Sequence, residues 1–357
     1  MSHGLQGLAL IPLAFILSAM AARWLSERAA VTGALLDHPN ERSLHQVPIP
    51  RSGGLAIVLG LAIPLALSGL VGTCPPPLCW IVAAALPVAL VSLFDDFGHV
   101  SRRLRLLIHG GAALILMAGG LAWSSVELPG LDWTLPLLLS GLLTILFVVW
   151  MINLYNFMDG MDGFAGGMAL FGFGALALLG WQGGDAAFAL SAASVAAAAS
   201  GFLVSNFPPA RIFLGDLGSS TLGLLAAGFS LWGADLGLFP LWVGWLAFSP
   251  FIVDATWTLV RRLVQGERVW EAHRSHHYQR LVLAGWGHRK TVLRAYLLML
   301  GAAACAVAAP GLLPAEQWLV LAAWAAIYIL VHARVRLAER LAEPLAEPLA
   351  EPRPPGS

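Results

Sequence analysis

The sequence predicts an all-α polytopic membrane protein of about eleven transmembrane helices. Three observations carry this prediction: the composition, the length of the apolar runs and the placement of the basic residues. Of the 357 residues, 58% are hydrophobic and 11% are charged, whereas a soluble domain carries about 25% charged residues. The 20 basic and 20 acidic residues cancel, so bulk charge indicates no nucleic-acid partner.

Apolar runs of membrane-spanning length divide most of the chain. A bilayer core about 30 Å thick needs roughly 20 predominantly apolar residues per helix. We expect the first run to be a retained span, because it lacks the flanks of a signal peptide. The predicted spans are Leu5–Ala22, Gly53–Val71, Leu78–Phe94, Leu106–Trp123, Trp133–Ile152, Phe164–Trp181, Ala186–Ser205, Leu217–Gly233, Leu236–Val260, Thr291–Ala309 and Trp318–His332.

The basic residues test this division independently, since loop Lys and Arg collect on the cytoplasmic side. Nineteen fall in the loops after spans one, three, seven, nine and eleven, and Arg294 lies at the mouth of span ten, so the division places all 20 on one face. A wrong span count would scatter some of them onto the other face. The pattern therefore predicts eleven spans, with the N-terminus outside and the C-terminus in the cytoplasm.

The chain is predicted to form one integral membrane domain over residues 1–340. The tail over residues 341–357 repeats Leu-Ala-Glu-Pro and is rich in Pro, which predicts disorder. Cys74 and Cys79 frame a predicted outside turn, where a disulfide and two free thiols are both open interpretations.

Two adjacent acids, Asp95 and Asp96, lie at the cytoplasmic end of the third run. Carboxylates at that depth are costly to desolvate and persist when a cation offsets the cost. Neighbouring helical residues point about 100° apart, so we expect one acid near a metal and the other near a second substrate. The alternative is a pair of helix-end acids balanced by Arg102, Arg103 and Arg105.

Four polar residues follow the fifth run at a spacing of three. They are Asn153, Asn156, Asp159 and Asp162. This spacing places them on one side of a helical turn, and the intervening glycines let backbone approach a ligand closely. A helix cap needs one such residue, so four favour a polar-ligand site.

The next cytoplasmic loop holds Arg211 and then Gly215-Asp216-Leu-Gly-Ser directly before the eighth run. Taken alone, this motif favours a plain helix cap. An Asp with free backbone N–H groups also suits a magnesium-bound phosphate. Asp254, inside the ninth run, is either a functional group or a partner of Arg261.

The longest cytoplasmic loop combines imidazoles with cations in His273, Arg274, His276 and His277. Its spacing fits no closed zinc site. These side chains suit a polyanionic ligand better than zinc. The alternative is a solvated basic loop that binds no ligand. The first cytoplasmic loop adds three candidates for binding a lipid phosphate, which are Arg42, His45 and Arg51.

All these groups share one predicted membrane face. They indicate a polyanionic cytosolic substrate, a divalent metal and a second substrate held in the membrane. Phosphoryl transfer fits, because its catalysis depends chiefly on positioning and on charge neutralisation.

The motifs resemble the polyprenyl-phosphate N-acetylhexosamine-1-phosphate transferase family, also called the glycosyltransferase 4 family. The resemblance rests on the Asp pair, the Asn/Asp series, the Gly-Asp motif and the His-rich loop, and covers about residues 37–290. It implies transfer of a sugar 1-phosphate from a UDP-N-acetylhexosamine to undecaprenyl phosphate, with release of UMP. It also implies Mg²⁺, with Mn²⁺ as the alternative ion, in the bacterial inner membrane with a cytoplasmic active site. A homodimer is an open option.

The resemblance also implies residue roles. Asp95, Asp96 and Asp216 would be catalytic, and Asp216 and Asp159 would bind the metal. The nucleotide-sugar pocket would be formed by Asn153, Asn156, Asp159, Asp162, Arg211, Gly215, His273, Arg274, His276 and His277. The family's compact His run is here interrupted, and its form is more similar to the O-antigen-initiating branch than to the peptidoglycan-precursor branch.

Three alternatives stay open at this point. A secondary transporter of an anionic solute would also carry intramembrane charge, although we find no paired halves. A CDP-alcohol phosphotransferase would have an Arg soon after Asp162-Gly163, where this chain reads Phe-Ala-Gly-Gly. The third is the peptidoglycan-precursor branch, which uses UDP-MurNAc-pentapeptide.

Overall fold

The computed structural model describes residues 2–32, 35–37, 39, 44, 47–70, 74–98, 100–268 and 273–342. Arg42, His45 and residues 343–357 of the predicted tail lie outside these ranges. The helices are α1 Ser2–Thr32, α2 Gly53–Leu70, α3 Pro76–Phe97, α4 Arg102–Ala118, α5 Leu137–Phe157, α6 Phe164–Gln182, α7 Ala186–Asn206, α8 Gly215–Asp235, α9 Leu241–Ala247, α10 Ser249–Val264, α11 His277–Leu281, α12 Gly287–Ala308 and α13 Pro314–Ala342.

Two short antiparallel hairpins accompany the helices within the described ranges. The first pairs β1 Leu36–Asp37 with β2 Ile49–Pro50, and the second pairs β3 Ser125–Leu128 with β4 Leu131–Thr134. The sequence analysis predicted neither hairpin. A π-helical turn joins α11 to α12, and a 3₁₀ turn follows α12.

The predicted membrane architecture is confirmed in its coarse form. Among the described residues, eight helices are long and apolar enough to cross a membrane, or nine if the bent pair α9–α10 forms one span. The apolar part of α2 is short, and α4 has 17 residues of which three are Arg. Eleven crossings and their orientation therefore stay predictions.

The ninth predicted span is wrong as a continuous helix. The chain bends by 85° between α9 and α10, at Phe248. Pro250 lies in the first turn of α10 and Pro240 precedes α9. Proline lacks an N–H donor and is tolerated in a first turn, so both positions suit helix starts better than a helix interior.

The ends of spans four and five were also predicted wrongly. Trp123 lies beyond α4, which ends before Gly119, and Trp133 lies in β4. Both are apolar residues of the second hairpin region, where hydropathy alone continues the helical run. Glycine turns and Pro136, directly before α5, set the true helix ends.

The loops assigned to one predicted face are neighbours in space. At the predicted outer face, Trp318 Nε1 donates a hydrogen bond to Pro129 O at 3.1 Å. At the other, Arg51 Nη2 donates to Asp96 O at 2.8 Å. Both contacts join segments that the predicted division places on the same face, and the orientation of the two faces stays a prediction.

Helix α8 forms the centre of the bundle. Every residue from Leu217 to Gly233 is buried, and the helix packs against α3 and α5. Its interface is rich in Gly and Ser, which let neighbouring backbones approach closely, as is typical of membrane helix pairs. The ends of α3 and α5 are thereby brought to the start of α8.

The loop before α2 is tied to the loop before α8. Gly53 and Gly54 donate backbone hydrogen bonds to Phe213 O and Leu214 O at 2.8 and 2.7 Å. A Cβ at Gly54 would lie 2.6 Å from Gly218 Cα. These two segments of the chain pack so closely that only glycine fits at position 54.

We expect Gly54→Ala to destabilise the protein by about 1–3 kcal/mol, because the added methyl overpacks a backbone contact. Gly174→Ala is the matched control, since a Cβ at this helical glycine meets nothing within 4 Å. That variant should be unchanged or more stable by about 0.5–1 kcal/mol. Thermal unfolding of the purified proteins in detergent measures both, and equal midpoints would contradict the packing.

Candidate active site

Residues from separate elements meet in one cavity of about 210 Å³. Six of its lining residues were predicted site residues, namely Arg51, Asp96, Asp159, Asp162, Gly215 and Asp216. Four further polar residues were assigned no role from the sequence, namely Asp37, Asn206, Gln279 and His288. The cavity therefore joins the loop before α2, the end of α3, the α5–α6 loop, the start of α8 and the α11–α12 region.

Asp96 caps the start of α8 from a different helix. Its Oδ1 accepts a hydrogen bond from Asp216 N at 3.1 Å, and its Oδ2 accepts one from Leu217 N at 3.0 Å. A carboxylate at a helix N-terminus satisfies free N–H groups and interacts favourably with the helix dipole. The buried Asp96 carboxylate thus fixes the backbone that carries Asp216.

Gly215 makes the turn into α8 possible. Its φ of 74° lies in the left-handed region that favours glycine. A Cβ there would lie 3.1 Å from Asp96 Oδ2 and would overlap Arg51 O. The Gly-Asp motif therefore begins α8 at a point where three chain segments, those of Arg51, Asp96 and Gly215, come close together.

Asp216 presents a partly accessible carboxylate to the cavity, with a side chain 37% exposed. Its Oδ1 accepts a hydrogen bond from Asn156 Nδ2 at 2.8 Å, and its Oδ2 lies 3.5 Å from Arg105 Nη1. Asn156 also contacts Ser219 Oγ at 3.1 Å. These contacts hold the carboxylate in place and leave it open to a ligand.

Asp95 and Asp96 have separate partners, and the predicted division between a metal and a second substrate stays a prediction. Asp95 forms an ion pair with Arg105 and accepts a hydrogen bond from Val100 N at 2.8 Å. Arg105, considered from the sequence only as a balancing charge, bridges Asp95 and Asp216. Its position ten residues after Asp95, in the first turn of the next helix, was the available signal.

The two acids of the α5–α6 loop have different surroundings. Asp159 is half-buried and lines the cavity. Burial raises the pKa of Asp159 well above its usual range, and the carboxylates of Asp216 and Asp96 raise it further. The raised pKa means that these neighbouring carboxyl groups disfavour ionisation of Asp159, and a cation bound among them would favour the ionised form.

Asp162 is held by two donors. Its Oδ2 accepts a hydrogen bond from Ala210 N at 3.0 Å, and its Oδ1 lies 3.0 Å from His288 Nδ1. The other ring nitrogen of His288, Nε2, is buried and has no partner of standard hydrogen-bond geometry among the described residues. Asp162 raises the pKa of His288 despite its burial, and a contact with the Leu44 backbone raises it further. Asp162 and His288 thus form a dyad at the cavity wall.

Asn206 joins the two loops behind the cavity. Its Oδ1 accepts a hydrogen bond from Gly163 N at 2.9 Å, and its Nδ2 donates to Ile212 O at 2.8 Å. The available signal for this role was an Asn at the end of an apolar run, since Asn side chains often bond to nearby backbone.

Several predicted site residues lie away from the cavity lining. Asn153 donates to Val149 O at 2.7 Å and contacts His109 at 3.3 Å, and Arg211 is exposed. His273 contacts Ser275 Oγ at 2.9 Å. Burial and then the nearby charges of His276 and Arg262 lower the pKa of His273 to about 4, which leaves it neutral near pH 7.

Asp254 binds the histidine loop and does not pair with Arg261. Its Oδ1 accepts from His277 N at 2.9 Å and lies 2.8 Å from His277 Nδ1 and 3.6 Å from His276 Nδ1. His277 Nε2 in turn contacts His332 Nδ1, on α13, at 2.9 Å. Neither His276 nor His277 lines the cavity in this structure.

The apolar helices and the acidic cavity at their ends define an integral membrane protein with a buried polar site, and the comparisons with known proteins identify its family. The model for glycosyl transferase family 4 matches residues 78–234. A probable undecaprenyl-phosphate N-acetylglucosaminyl 1-phosphate transferase of Bacillus subtilis is 30% identical over 294 residues, which cover 81% of this chain and 82% of that protein.

Two further relatives agree. A decaprenyl-phosphate N-acetylglucosaminephosphotransferase of Mycolicibacterium smegmatis is 31% identical over 326 residues, covering 82% of this chain and 80% of that protein. An undecaprenyl-phosphate alpha-N-acetylglucosaminyl 1-phosphate transferase of Yersinia pestis is 27% identical over 328 residues, covering 88% and 87%.

The chain therefore belongs to the polyprenyl-phosphate N-acetylhexosamine-1-phosphate transferase family. The family predicted from the motifs is confirmed, and its membership decides against the transporter and the CDP-alcohol phosphotransferase.

We expect Asp96→Ala to destabilise the protein more than loss of an ordinary helix cap. It would leave the buried N–H of Leu217 and the partly buried N–H of Asp216 without an acceptor, and an unpaired buried N–H costs about 1–3 kcal/mol. The matched control is Asp185→Ala, which removes the cap that Asp185 Oδ1 provides to Phe188 N, at a cost of about 1 kcal/mol. Thermal unfolding compares them, and an equal loss in both variants would contradict the positioning role of Asp96.

Proposed function

We propose that the chain transfers an N-acetylhexosamine 1-phosphate from a UDP-sugar to undecaprenyl phosphate and releases UMP. One observation carries the proposal beyond family membership: the acids from α3, the α5–α6 loop and α8 converge on the cavity that Arg51 and His288 also line. Phosphoryl transfer needs this mixture of acids for a metal and donors for phosphate oxygens.

Magnesium is the proposed metal, with manganese as the alternative ion. Within the described residues, no set of three His, Cys, Asp or Glu side chains is arranged to hold a metal ion. Mg²⁺ is usually held by one or two carboxylates together with substrate phosphates and water. Asp216, which is accessible, and Asp159, which shares the cavity, fit such a site. Bound magnesium would neutralise charge on the diphosphate.

The proposed reaction is a single displacement. An oxygen of the lipid phosphate attacks the β phosphorus of the UDP-sugar, and the bond to the α-phosphate breaks to release UMP. A phosphate monoester has a second pKa of about 6, so its oxygen is largely deprotonated at pH 7 and needs positioning more than a base.

The chain's residues would supply that positioning. Asp96 fixes the start of α8, and Arg105 holds Asp95 beside Asp216. We therefore assign Asp95 and Asp96 to positioning, since hydrogen bonds and an ion pair already occupy their carboxylates. Contact of His276 and His277 with the diphosphate stays a prediction, because both are bound near Asp254 here.

The proposal also covers the pathway that the enzyme serves and the membrane face on which its active site lies. We propose eleven spans, a cytoplasmic active site in the bacterial inner membrane and the initiation of O-antigen synthesis, as the basic loops and the form of the histidine motif favour. The relatives are named for N-acetylglucosamine, so UDP-GlcNAc is the first donor to test.

The proposed function predicts UMP release that requires a UDP-sugar, polyprenyl phosphate and Mg²⁺ together. Purified protein in nanodiscs is tested with UDP-GlcNAc, UDP-FucNAc and UDP-QuiNAc, with omission of each component in turn. UMP release without the lipid phosphate, or none with any of the three donors, would count against the proposal.

We expect Asp216→Asn to lower kcat/KM by at least about 100-fold, because about 3 kcal/mol of transition-state stabilisation through the metal would be lost. Asp235→Asn, at the exposed opposite end of the same helix, is the matched control and should retain activity. Unfolding midpoints establish that both variants are folded. Near-normal turnover of Asp216→Asn at saturating Mg²⁺ would refute the ligand assignment.

We expect His288 to bind the diphosphate through Nε2. His288→Asn keeps a donor near Asp162 but loses the atom at Nε2, and should lower kcat/KM by about 10–100-fold, as loss of a charge-assisted hydrogen bond implies. His288→Gln places an amide nitrogen near the Nε2 position and should retain most activity. Titration of UDP by thermal shift provides a second readout, and equal UDP affinity in all three proteins would exclude the contact.

A further inference from the structure

Three cations surround one indole ring on the outer surface of the bundle. Lys290 Nζ lies 4.6 Å from the Trp286 ring centroid, and the guanidinium carbons of Arg294 and Arg334 lie 4.2 and 5.7 Å from it. We call these four residues the Trp286 patch. Lys290 and Arg294 belong to α12 and Arg334 to α13, so the patch joins two helices.

The patch carries positive charge that the described residues do not compensate. Arg105, Arg262 and Arg280 each form an ion pair with a carboxylate. Across the described ranges, no such pair forms with a cation of the Trp286 patch. Each cation–π contact at an exposed site contributes only about 0.5–1 kcal/mol. Three like charges on one ring are therefore complementary to an anion.

The patch borders an apolar surface. Leu297, one turn beyond Arg294 on α12, is 72% exposed, and Leu330, one turn before Arg334 on α13, is 67% exposed. The two helices are adjacent, since a Cβ at Gly301 would lie 3.4 Å from Trp324. Trp, Lys and Arg are typical of the membrane–water interface, with leucines on the lipid side. The surface suits a molecule with an anionic head and an apolar tail.

The patch is separate from the catalytic cavity. His288 lines the cavity, whereas Lys290 lies two residues further along the helix, about 200° around its axis. Arg334 belongs to α13, and no described residue of α13 lines the cavity. An anion at the patch is therefore outside the space where the acceptor phosphate would meet Asp216.

We propose that the Trp286 patch binds the headgroup of an anionic glycerophospholipid of the surrounding leaflet. The headgroup phosphate would contact Arg294 and Arg334, and the acyl chains would lie on the surface that includes Leu297 and Leu330. Basic pockets between transmembrane helices on the cytoplasmic side commonly bind such headgroups. The bound lipid would link α12 to α13 and stabilise the segment that carries His288. The proposal rests on the proposed function in one respect only, namely that the phospholipid site is distinct from the site of the acceptor polyprenyl phosphate.

The test compares the wild type with Arg294→Gln/Arg334→Gln. The matched control is Arg102→Gln/Arg103→Gln, which removes the same charge from exposed positions at the start of α4. Native mass spectrometry measures retained phosphatidylglycerol, and thermal unfolding compares nanodiscs with and without this lipid. The patch variant should bind it about 30-fold more weakly, which corresponds to about 1 kcal/mol per removed cation. The wild type and the control should retain the lipid and gain stability from it.

Several results would overturn the proposal. One is equal retention and equal stabilisation in all three proteins. Another is an equal stability gain from inorganic phosphate, which would mean a free-anion site. A third is a raised KM for polyprenyl phosphate in the patch variant with unchanged phospholipid retention, which would assign the patch to the acceptor. Arg294→Lys/Arg334→Lys keeps the charge and should retain lipid, which supplies a second test if the Gln variant fails to fold. Failure of the proposed function appears separately, as absent UMP release by the wild type.

Discussion

The hydrogen bonds from Asp216 N and Leu217 N to the buried Asp96 carboxylate are the constraint on which the site depends. They join the end of α3 to the start of α8 and satisfy helix N–H groups that would otherwise be buried without partners. The same contact sets the direction of the Asp216 side chain. The Asp96 carboxylate, which the sequence motif assigns to catalysis, is therefore first a structural group, and its neighbour Asp95 pairs with Arg105.

The small residues of α8 make this contact possible. Gly218 lies against Gly54, and Gly223 lies against the backbone of α5. Lipid tails provide no hydrophobic force between helices, so close backbone packing has to supply the stability. Because α3, α5 and the loop before α2 all pack on one buried helix, their polar ends reach the same cavity. The site is a consequence of helix packing in the apolar part of the bundle.

Much of this arrangement follows from the sequence, and the exceptions have physical causes. Long apolar runs and polar motifs at fixed spacing predict the helices and the acids of the cavity, since both depend on local periodicity. The bend at Phe248 leaves the chain apolar on both sides, so the apolar pattern missed it. The hairpin around Gly130 falls largely in the polar loop between predicted spans four and five, and the apolar pattern does not predict how the strands of such a loop pair. Composition near the site could not decide which histidine faces the cavity, because that depends on the turns made by Gly285 and Gly287.

The histidine-rich region divides into two parts that contact different elements of the fold. His277 contacts Asp254 and His332, and Arg280 contacts Glu339 at 2.6 and 2.5 Å, so this end of the loop is tied to α10 and α13. His288, beyond the π-helical turn, faces the cavity instead. Helix α13 contributes no described lining residue, yet it anchors the segment that supplies one. We therefore expect a packing change in α13 to act on His288 through this segment, since no described residue of α13 lines the cavity.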